Sequence, residues 1–307
     1  METTRKTRVL SGIQPSGKLH LGNYFGAIQQ HIALQHEFPG EAFYFIANYH
    51  ALTTLVGNAQ QVRDYTRDVA LDYLALGLDP KKATFYRQSD VPEVTELTWF
   101  LSTVTPVSLL EKGVSYKDKI GRGMSANAGL LTYPVLMAAD ILICHENIVP
   151  VGEEILTLPA ARFSPGRKVP GTDGAKMSKS YGNTIGIFEE GASLKKKVMG
   201  IKTSSVPMGE PLDPDSDTVF ALYKLLASAA EVADMEQKYR AGSIGFGHAK
   251  KELLGKIEEH FAPARARRKE LEQNVGELEE ILREGAERAR AEARRTLDAC
   301  RRAVGMV

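Results

Sequence analysis

The first half of the chain alternates short apolar runs with longer stretches of helical periodicity. Residues 21–38 carry apolar side chains at helical spacing, as does a second stretch with Asn58 as its cap and Gly77 as its terminator. The intervening apolar runs, typical of buried strands, are residues 8–13, 41–47 and 82–87. This alternation of strands and helices predicts a doubly wound parallel sheet, the α/β architecture of a Rossmann-like nucleotide-binding domain.

The second half of the chain has a different pattern. Residues 130–146 predict another apolar helix, and residues 148–151 predict a short strand. From Gly182 onward helical periodicity dominates to the end of the chain. We therefore divide the chain into a Rossmann-like α/β domain, residues 1–186, and an all-helical domain, residues 187–307.

Composition narrows the class of protein. With 43% hydrophobic and 25% charged residues, the 307-residue chain has the balance of a soluble globular protein. No apolar run approaches the about 18 residues of a membrane helix, and the net charge of +1 excludes a uniformly basic surface. Two distant cysteines, Cys144 and Cys300, exclude a disulfide scaffold and a cysteine-rich zinc site. We expect no structural metal and a reducing, cytoplasmic location.

A candidate phosphate site lies between the first predicted strand and the first predicted helix. Residues 11–24 read S-G-I-Q-P-S-G-K-L-H-L-G-N-Y. Open parallel sheets bind ligands where a strand ends and a helix begins, and free helix N–H groups favour phosphate. His20 and Asn23 add side-chain donors. Taken alone, a plain glycine-containing turn explains the segment equally well, because it is neither G-x-G-x-x-G nor a Walker loop.

A second candidate segment is K-M-S-K-S at residues 176–180, which follows a glycine-containing loop. Two lysines on a flexible stem can close over a polyphosphate and stabilise the charge that develops on a leaving pyrophosphate. A solvated basic surface loop is the alternative. The presence of both segments, in this order, favours the polyphosphate interpretation.

Together the two segments resemble the signature sequences of class I aminoacyl-tRNA synthetases, a histidine–glycine motif (H-L-G-N here) and K-M-S-K-S. Residues 11–24 are similar to the form found in bacterial tryptophan-specific members of the tyrosyl/tryptophanyl subclass. Other similar stretches begin L-T-Y-P at residue 131, V-P-V-G-E at 149, L-D-P-D at 212 and T-V-F-A-L-Y-K at 218. The resemblance covers nearly the whole chain.

This resemblance implies a two-step reaction. Tryptophan and ATP, with Mg²⁺, give tryptophanyl-adenylate and pyrophosphate, and the acyl group then passes to the terminal adenosine of tRNA(Trp). No covalent enzyme intermediate is implied, so positioning and charge stabilisation do the catalysis. The catalytic residues it implies are His20, Asn23, Lys176, Lys179 and Ser180. The ATP site it implies adds Gln14, Pro15, Ser16, Gly22, Lys119, Gly152, Glu153, Val169, Met177 and Ser178, although Lys119 also fits a solvated lysine.

Asp140 lies inside an apolar helical run, M-A-A-D-I-L, where a buried carboxylate is costly unless it has a partner. An indole has one N–H donor and no acceptor, so its pocket needs an apolar slot with a single acceptor. The resemblance makes Asp140 that acceptor, and the alternative is an aspartate at a helix edge turned to water. The other tryptophan contacts it implies are Leu10, His50, Tyr133, Met137, Val149 and Val151, of which His50 and Tyr133 also fit core positions.

The helical half contains two arginine-rich stretches. Arg265, Arg267, Arg268 and Lys269 are candidates for contacts with tRNA phosphates, or for a solvated helix face. Arginines between residues 283 and 295 alternate with glutamates and predict ion pairs within one helix. The resemblance further implies that this half reaches the tRNA anticodon, and that the protein is a homodimer through helices around Thr95 to Leu110.

One stretch departs from the family. After residues 152–154 family members carry an additional segment that opens D-Q and includes a helix, whereas this chain continues with I-L-T-L-P. Parallel neighbouring strands need a crossover of about a dozen or more residues, usually helical, and prolines interrupt this one. We hypothesise that the protein has a disordered segment near Glu153 to Ile155 that this sequence omits. If the protein itself lacks the segment, we expect weaker tryptophan binding, because family substrate contacts lie there.

Three other functions stay open at this point. A tyrosine-specific relative shares the fold and both motifs, but a phenol needs two polar partners, and no second one beside Asp140 is obvious. A non-catalytic paralogue that binds tRNA or a protein has no use for a phosphate clamp. A small-molecule nucleotidyltransferase also uses a histidine–glycine loop, but lacks a long helical second half.

Overall fold

The structure, a computed structural model that describes residues 7–121, 123, 127–144, 168–207 and 209–306, contains the predicted parallel sheet. Its strands are β1 (Val9–Ile13), β2 (Ala42–Ile46) and β3 (Ala83–Arg87). They lie in the order β1-β2-β3, with Val9 opposite Ala42 and Ala42 opposite Ala83. The strand predicted at residues 148–151 lies outside the described residues.

The helices predicted between the strands are confirmed, with one irregularity. The first runs as α1 (Leu21–Asn23), a wider π-helical segment (Tyr24–Ile28) and α2 (Gln29–Glu37). After β2 come α3 (Asn48–Leu55) and α4 (Ala59–Ala75). Helix α4 begins after Asn58, whose side chain accepts the Gln61 N–H at 3.2 Å, and the chain leaves it through Gly77 at φ +109°.

The rest of the described chain is helical. After β3 and a 3₁₀ turn (Gln88–Asp90) come α5 (Glu93–Val104), α6 (Val107–Leu110), α7 (Val114–Gly121) and α8 (Ala128–Ile143). The helical half contains α9 (Gly191–Met199), α10 (Thr218–Tyr223), α11 (Ala229–Arg240), α12 (Phe246–Glu272) and α13 (Val275–Ala303). None of the helices in these ranges combines the length and the apolar character needed to cross a membrane.

Both faces of the sheet are buried, as a doubly wound architecture requires. Successive strand side chains point to opposite faces. Tyr44 and Phe85 join a core with α4 and α12, whereas Phe43, Phe45 and Tyr86 join a second core with α5, α8 and α13. Because every residue of β2 is buried, this strand is a continuous apolar run rather than an alternating one.

The last helix returns to the sheet. Ala286, Ala289 and Ala293 of α13 belong to the core that contains Phe45. A Cβ at Gly285 would overlap the backbone of Phe85, so glycine permits the close approach of α13 to β3. The division expected at residue 186 therefore separates a sheet-containing part from a helical part, but α13 shares its core with the sheet.

Ion pairs between α13 and α5 differ from the prediction. Arg283 pairs with glutamates of its own helix, as expected. Arg290 and Arg294 instead reach Glu93 of α5, at 2.9 and 3.0 Å. The prediction of intrahelical pairing is wrong for these two arginines, because the packing of α13 brings a buried carboxylate of another helix within reach.

The predicted basic cluster at residues 265–269 is not one exposed surface. Arg265 is buried, and its Nε donates to a backbone carbonyl at 3.0 Å. Arg268 forms an ion pair with Asp68 of α4 at 2.8 Å, whereas Arg267 is exposed. Of these four residues, Arg268 therefore holds α12 against α4 of the α/β half.

Candidate active site

The carboxyl ends of the strands bring polar side chains to one edge of the sheet. Gln14 follows β1, His50 lies in α3 after β2, and Gln88 directly follows β3. The Gln14 amide donates to the His50 carbonyl oxygen at 3.1 Å, so the first two strand ends are tied together. This edge is where open parallel sheets bind ligands.

The H-L-G-N turn lies at the start of α1. The backbone N–H of His20 donates to Asn23 Oδ1 at 3.1 Å, which closes the turn. The Leu21 N–H donates to the Ile185 carbonyl at 3.0 Å, so a segment from much later in the chain holds the turn in place. The Nδ1 atom of His20 is buried and has no hydrogen-bond partner among the described residues.

A buried asparagine shapes the K-M-S-K-S turn. Asn183, which is 2% exposed, accepts the Ser178 N–H at 2.8 Å and donates to the Lys176 carbonyl at 3.1 Å. Its amide also donates to Asp173 at 2.7 Å, and Gly171 lies so close to it that a Cβ there would overlap. Sequence reasoning missed Asn183, because an asparagine in a loop is common and carries little signal of its own.

The two turns face each other across a short gap. Lys179 Nζ donates to the Gly17 carbonyl at 2.9 Å and to Ser16 Oγ at 3.3 Å. The Gly22 N–H donates to the sulfur of Met177 at 3.4 Å, and Met177 is buried. The methionine of K-M-S-K-S thus anchors the lysine loop beneath the H-L-G-N turn.

Burial sets the charge state of both turns. Burial lowers the pKa of Lys179 to about 8. Burial, together with the nearby Lys179 cation, lowers the pKa of His20 to about 4. At neutral pH the site therefore holds a cationic lysine beside a neutral imidazole.

These turns line a cavity of about 840 Å³, which we call the Lys179 cavity. Its described lining includes no carboxylate, so cations and hydrogen-bond donors favour a polyanionic ligand. The residues expected at an ATP or catalytic site that line it are Ser16, His20, Gly22, Asn23, Val169, Lys176, Met177, Ser178, Lys179 and Ser180.

On the other side of the loop after β1 lies a mostly apolar cavity of about 530 Å³, which we call the Asp140 cavity. Leu10, His50, Tyr133, Met137 and Asp140, all expected to contact tryptophan, line it together. Phe45, Thr53 and Ile141 line it as well and were not predicted. Because Gln14 lines this cavity and Ser16 lines the other, a single loop separates the two.

Asp140 is 4% exposed and each of its carboxylate oxygens accepts a hydrogen bond, so the expectation of a buried acceptor holds and the water-facing alternative does not. Its Oδ2 lies 3.0 Å from His50 Nε2. The Gln88 amide donates to Oδ1 at 2.9 Å and to Oδ2 at 2.7 Å. Burial raises the pKa of Asp140, and the hydrogen bonds from His50 and Gln88 oppose that rise. Gln88 was not predicted, although its position directly after β3 is a usable signal.

Two expected site residues do not line the expected cavity, and others lie outside the described residues. Gln14, expected at the ATP site, lines the Asp140 cavity, and Pro15 is buried and lines neither cavity. The side chain of Lys119 on α7 is outside the described part of the structure. The same holds for Val149, Val151, Gly152 and Glu153, and for the stretch near Glu153 to Ile155 where a segment was expected to be missing.

The arrangement combines a polyanion clamp with an apolar slot that ends in one buried acceptor. A ligand with phosphates and a ligand with an aromatic donor group would meet at the loop between the cavities, which is the geometry for joining them. Within the described residues, no group of three or more His, Cys, Asp or Glu side chains is arranged to hold a metal ion.

Sequence comparison shows what the chain is similar to. The family model described as class I tRNA synthetases (W and Y) matches residues 1–262. A tryptophan–tRNA ligase from Rhodopirellula baltica is 51% identical over 321 aligned positions, which cover 97% of this chain and 99% of the relative. Because that alignment is longer than the 307-residue chain, the relative contains residues without a counterpart here.

Structural comparison agrees. A tryptophanyl-tRNA synthetase from Campylobacter jejuni, complexed with ADP and tryptophan, is similar with a TM-score of 0.89 and 42% identity, covering 97% of this chain and 100% of that one. The enzyme from Mycoplasma pneumoniae has a TM-score of 0.80 at 26% identity, with 99% of both chains covered. The similarity therefore includes both the sheet and the helical half.

Proposed function

The chain belongs to the class I tRNA synthetases for tryptophan and tyrosine, and from that premise we propose how its residues perform the reaction. Relatives 42–51% identical over nearly the whole chain are tryptophan–tRNA ligases, and the reaction is theirs: ATP-dependent ligation of tryptophan to tRNA. The observation that carries the assignment of residues is the Lys179 bond to the Gly17 carbonyl, which joins the two turns beside the Asp140 cavity.

In the first step, we propose that a carboxylate oxygen of tryptophan attacks the α-phosphorus of ATP and pyrophosphate leaves. Lys176 and Lys179, with Ser180, hold the departing phosphates and stabilise the charge that develops on them. His20, which is neutral above about pH 4, donates or accepts a hydrogen bond without adding charge, and Asn23 positions the turn that carries it. No protein nucleophile is needed, since orientation and electrostatics suffice.

ATP is proposed to enter as its complex with Mg²⁺, which neutralises phosphate charge. The described lining of the Lys179 cavity supplies lysines, hydroxyls and an amide rather than carboxylates. This donor set suits Mg²⁺ held mainly by the phosphates and water, as is common for nucleotide complexes. The metal is thus part of the substrate.

Selection of the amino acid is proposed to depend on Asp140. An indole seated in the Asp140 cavity would direct its one N–H to the buried carboxylate, with Leu10 and Met137 against the ring. A side chain without a donor would leave this buried acceptor unpaired, which a binding site built this way penalises strongly. Tyr133 and His50 line the same cavity, where they reach the ring or the ammonium group.

In the second step, the acyl group is proposed to pass to the terminal adenosine of tRNA(Trp), at its 2′-hydroxyl, with AMP as leaving group. We assign residues 1–186 to adenylate formation and residues 187–307 to tRNA contact near the anticodon. Support for this division is the concentration of long helices after residue 186 and the exposed Arg267 on α12.

We also propose a homodimer, because an apolar surface on α5 and α6 has no cover in the described chain. Trp99, Val104, Val107 and Leu109 are 66%, 76%, 58% and 60% exposed. Large apolar side chains grouped this way mark protein interfaces, and a second copy related by two-fold symmetry would bury them. Trp99 is the single tryptophan of the chain, so its fluorescence reports on this surface.

Light scattering coupled to size exclusion tests the dimer. Wild type at micromolar concentration should have twice the monomer mass, and Val104→Glu should be monomeric with a red-shifted Trp99 emission. Val56→Glu is the matched control, since Val56 is 75% exposed but lies at the end of α3. A monomeric wild type contradicts the dimer.

A cytoplasmic location is proposed as well. Both cysteines are free and buried, and free thiols persist in a reducing compartment. Fractionation of cells that express the chain, compared with marker proteins of the cytoplasm and of oxidising compartments, would locate the protein.

ATP–pyrophosphate exchange tests the ligase assignment on the wild-type chain. Tryptophan should support exchange, and tyrosine at the same concentration should not. Exchange with tyrosine alone would point to the tyrosine-specific subclass, and tRNA binding without exchange would point to a non-catalytic paralogue.

A further inference from the structure

A buried glutamine holds the Asp140 carboxylate, and the ligase mechanism above gives it no role. Gln88 is 1% exposed and directly follows β3. Its Oε1 accepts the Tyr49 backbone N–H at 3.0 Å, while its Nε2 faces both oxygens of Asp140. The amide cannot rotate by half a turn, because its oxygen would then face the carboxylate and its NH₂ group would face an N–H donor.

The two oxygens of the Asp140 carboxylate accept different numbers of hydrogen bonds. Asp140 Oδ2 accepts from both Gln88 and His50, at 2.7 and 3.0 Å. Oδ1 accepts from Gln88 alone, at 2.9 Å, among the contacts of the described residues. Since a carboxylate oxygen has two lone pairs, Oδ1 keeps one for a ligand in the cavity that Asp140 lines.

We propose that Gln88 is a positioning residue: it orients Asp140 so that Oδ1 offers a single acceptor to the indole N–H, and it thereby contributes to the choice of amino acid. This inference rests on the proposed binding of tryptophan in the Asp140 cavity. Gln88 itself need not touch the substrate. Its effect is to keep the carboxylate in one orientation and in its acceptor-only, ionised form.

The proposal predicts a specific loss of selectivity. In Gln88→Leu the KM for tryptophan should rise roughly tenfold to hundredfold, the cost of removing one donor from a buried charged acceptor, with kcat changed only a few-fold. The preference for tryptophan over its benzothiophene analogue, which has sulfur in place of the N–H, should fall by a similar factor. Both are measured by ATP–pyrophosphate exchange.

Ser89→Ala is the matched control. Ser89 is the next residue, and its hydroxyl accepts a hydrogen bond from the Asn48 side chain at 2.8 Å, so this variant removes a bond from the same turn without touching Asp140. Its KM and its selectivity should equal those of wild type. If Ser89→Ala reproduces the effect of Gln88→Leu, the glutamine acts through general loosening of the turn, and the proposal is wrong.

Gln88→Glu is a second test. Unlike Gln88→Leu, it keeps the size of the side chain, so its result does not depend on whether the core tolerates a change of packing beside Asp140. Two carboxyl groups at this distance share one proton, and the protonated pair has the donor and the net charge of the native Gln88–Asp140 pair. The ratio of the variant's tryptophan affinity to that of wild type at the same pH should therefore be near one at about pH 6 and fall toward about pH 9, because titrations that both proteins share cancel in the ratio. The other titratable groups around Asp140 are His50 of α3, Tyr86 of β3 and Cys144 after α8, and burial raises the pKa of Tyr86 and Cys144.

The outcomes distinguish a failure of the proposed function from a failure of the proposed role of Gln88. A wild type that fails to exchange with tryptophan rejects the proposed function. An active wild type with unchanged KM and selectivity in Gln88→Leu, or with an affinity ratio of Gln88→Glu to wild type that does not change with pH, rejects the role of Gln88 alone.

Discussion

The two cavities of the site are constructed in different ways. The Lys179 cavity is formed by turns, and its cation is bonded to the Gly17 carbonyl and to Ser16. The Asp140 cavity is formed by strand ends and by α3 and α8, and its acceptor is held by the buried Gln88 and by His50. In the Lys179 cavity a ligand must replace intramolecular hydrogen bonds of the lysine. In the Asp140 cavity the acceptor is already held in its binding geometry.

This difference indicates a division of labour. A cation that exchanges a backbone carbonyl for phosphate oxygens can respond to charge as it develops, which is what a leaving pyrophosphate requires. A carboxylate held by buried hydrogen bonds cannot adapt to a different side chain, so it discriminates without movement. Changes in the first region should therefore alter rates, and changes in the second should alter affinity and selectivity.

The largest expected effect separates rate from affinity. Lys179→Ala removes the stabilising cation and should slow adenylate formation by about 10²–10³-fold, while tryptophan binding changes little. Single-turnover adenylate formation and equilibrium dialysis with labelled tryptophan measure the two quantities. Lys195→Ala, at an exposed lysine of α9, is the charge-matched control and should behave as wild type. Equal losses of rate and of tryptophan affinity would erase the distinction between the cavities.

The converse change is Asp140→Asn, which replaces the acceptor by a group of the same shape that carries donors. The KM for tryptophan should rise roughly tenfold to hundredfold or exchange should vanish, since an N–H donor would then face the indole N–H. The KM for ATP should stay within a few-fold of wild type. If the ATP parameters move instead, Asp140 does not belong to the amino-acid slot.

A pH profile distinguishes the two regions in the unmodified protein. Burial lowers the pKa of Lys179 to about 8, so the cation is present below that pH and is lost above it. We expect kcat/KM for ATP to fall above about pH 8, by up to about tenfold per pH unit. His20, with its pKa lowered to about 4, stays neutral and adds no second limb between about pH 6 and pH 9. An ATP profile that is flat to about pH 9.5 would contradict this assignment.

The smallest expected effect concerns the contact between the turns. Met177→Leu keeps the volume but removes the sulfur that accepts the Gly22 N–H at 3.4 Å. The KM for ATP should rise a few-fold, with a loss of stability under about 1.5 kcal/mol by thermal unfolding. Met235→Leu, at a buried methionine of α11, should give a similar change in stability and no change in the KM for ATP. A KM shift in both variants would assign the effect to general destabilisation.

Much of the fold could be predicted from the local pattern of apolar and capping residues in the sequence. The three parallel strands, the Asn58 cap of α4 and the long helical second half are found where they were expected. These features depend on periodicity and on capping, which act over a few residues. The ion pairs of Arg290 and Arg294 with Glu93 were not predicted, because they join residues about 200 positions apart.

Within the site, the sequence analysis singled out residues in distinctive motifs but not the residues that support them. His20, Lys176 and Lys179 were expected at a phosphate site because their two segments together resemble class I signature sequences. Gln88 and Asn183 are ordinary polar residues in short turns, and their importance appears only where their partners are seen. Gln14, expected at the ATP site, lines the Asp140 cavity, since the loop after β1 divides the two cavities between Gln14 and Ser16.

The alternating architecture, the H-L-G-N and K-M-S-K-S segments and an aspartate among apolar neighbours can all be read from the chain, because each is a feature of a few adjacent residues. That the two segments meet, that Gln88 and His50 donate to Asp140, and that α13 packs against the sheet became known only from the folded structure. Those outcomes depend on contacts between residues distant in the chain, and the packing of the whole core, rather than any local preference, sets such contacts.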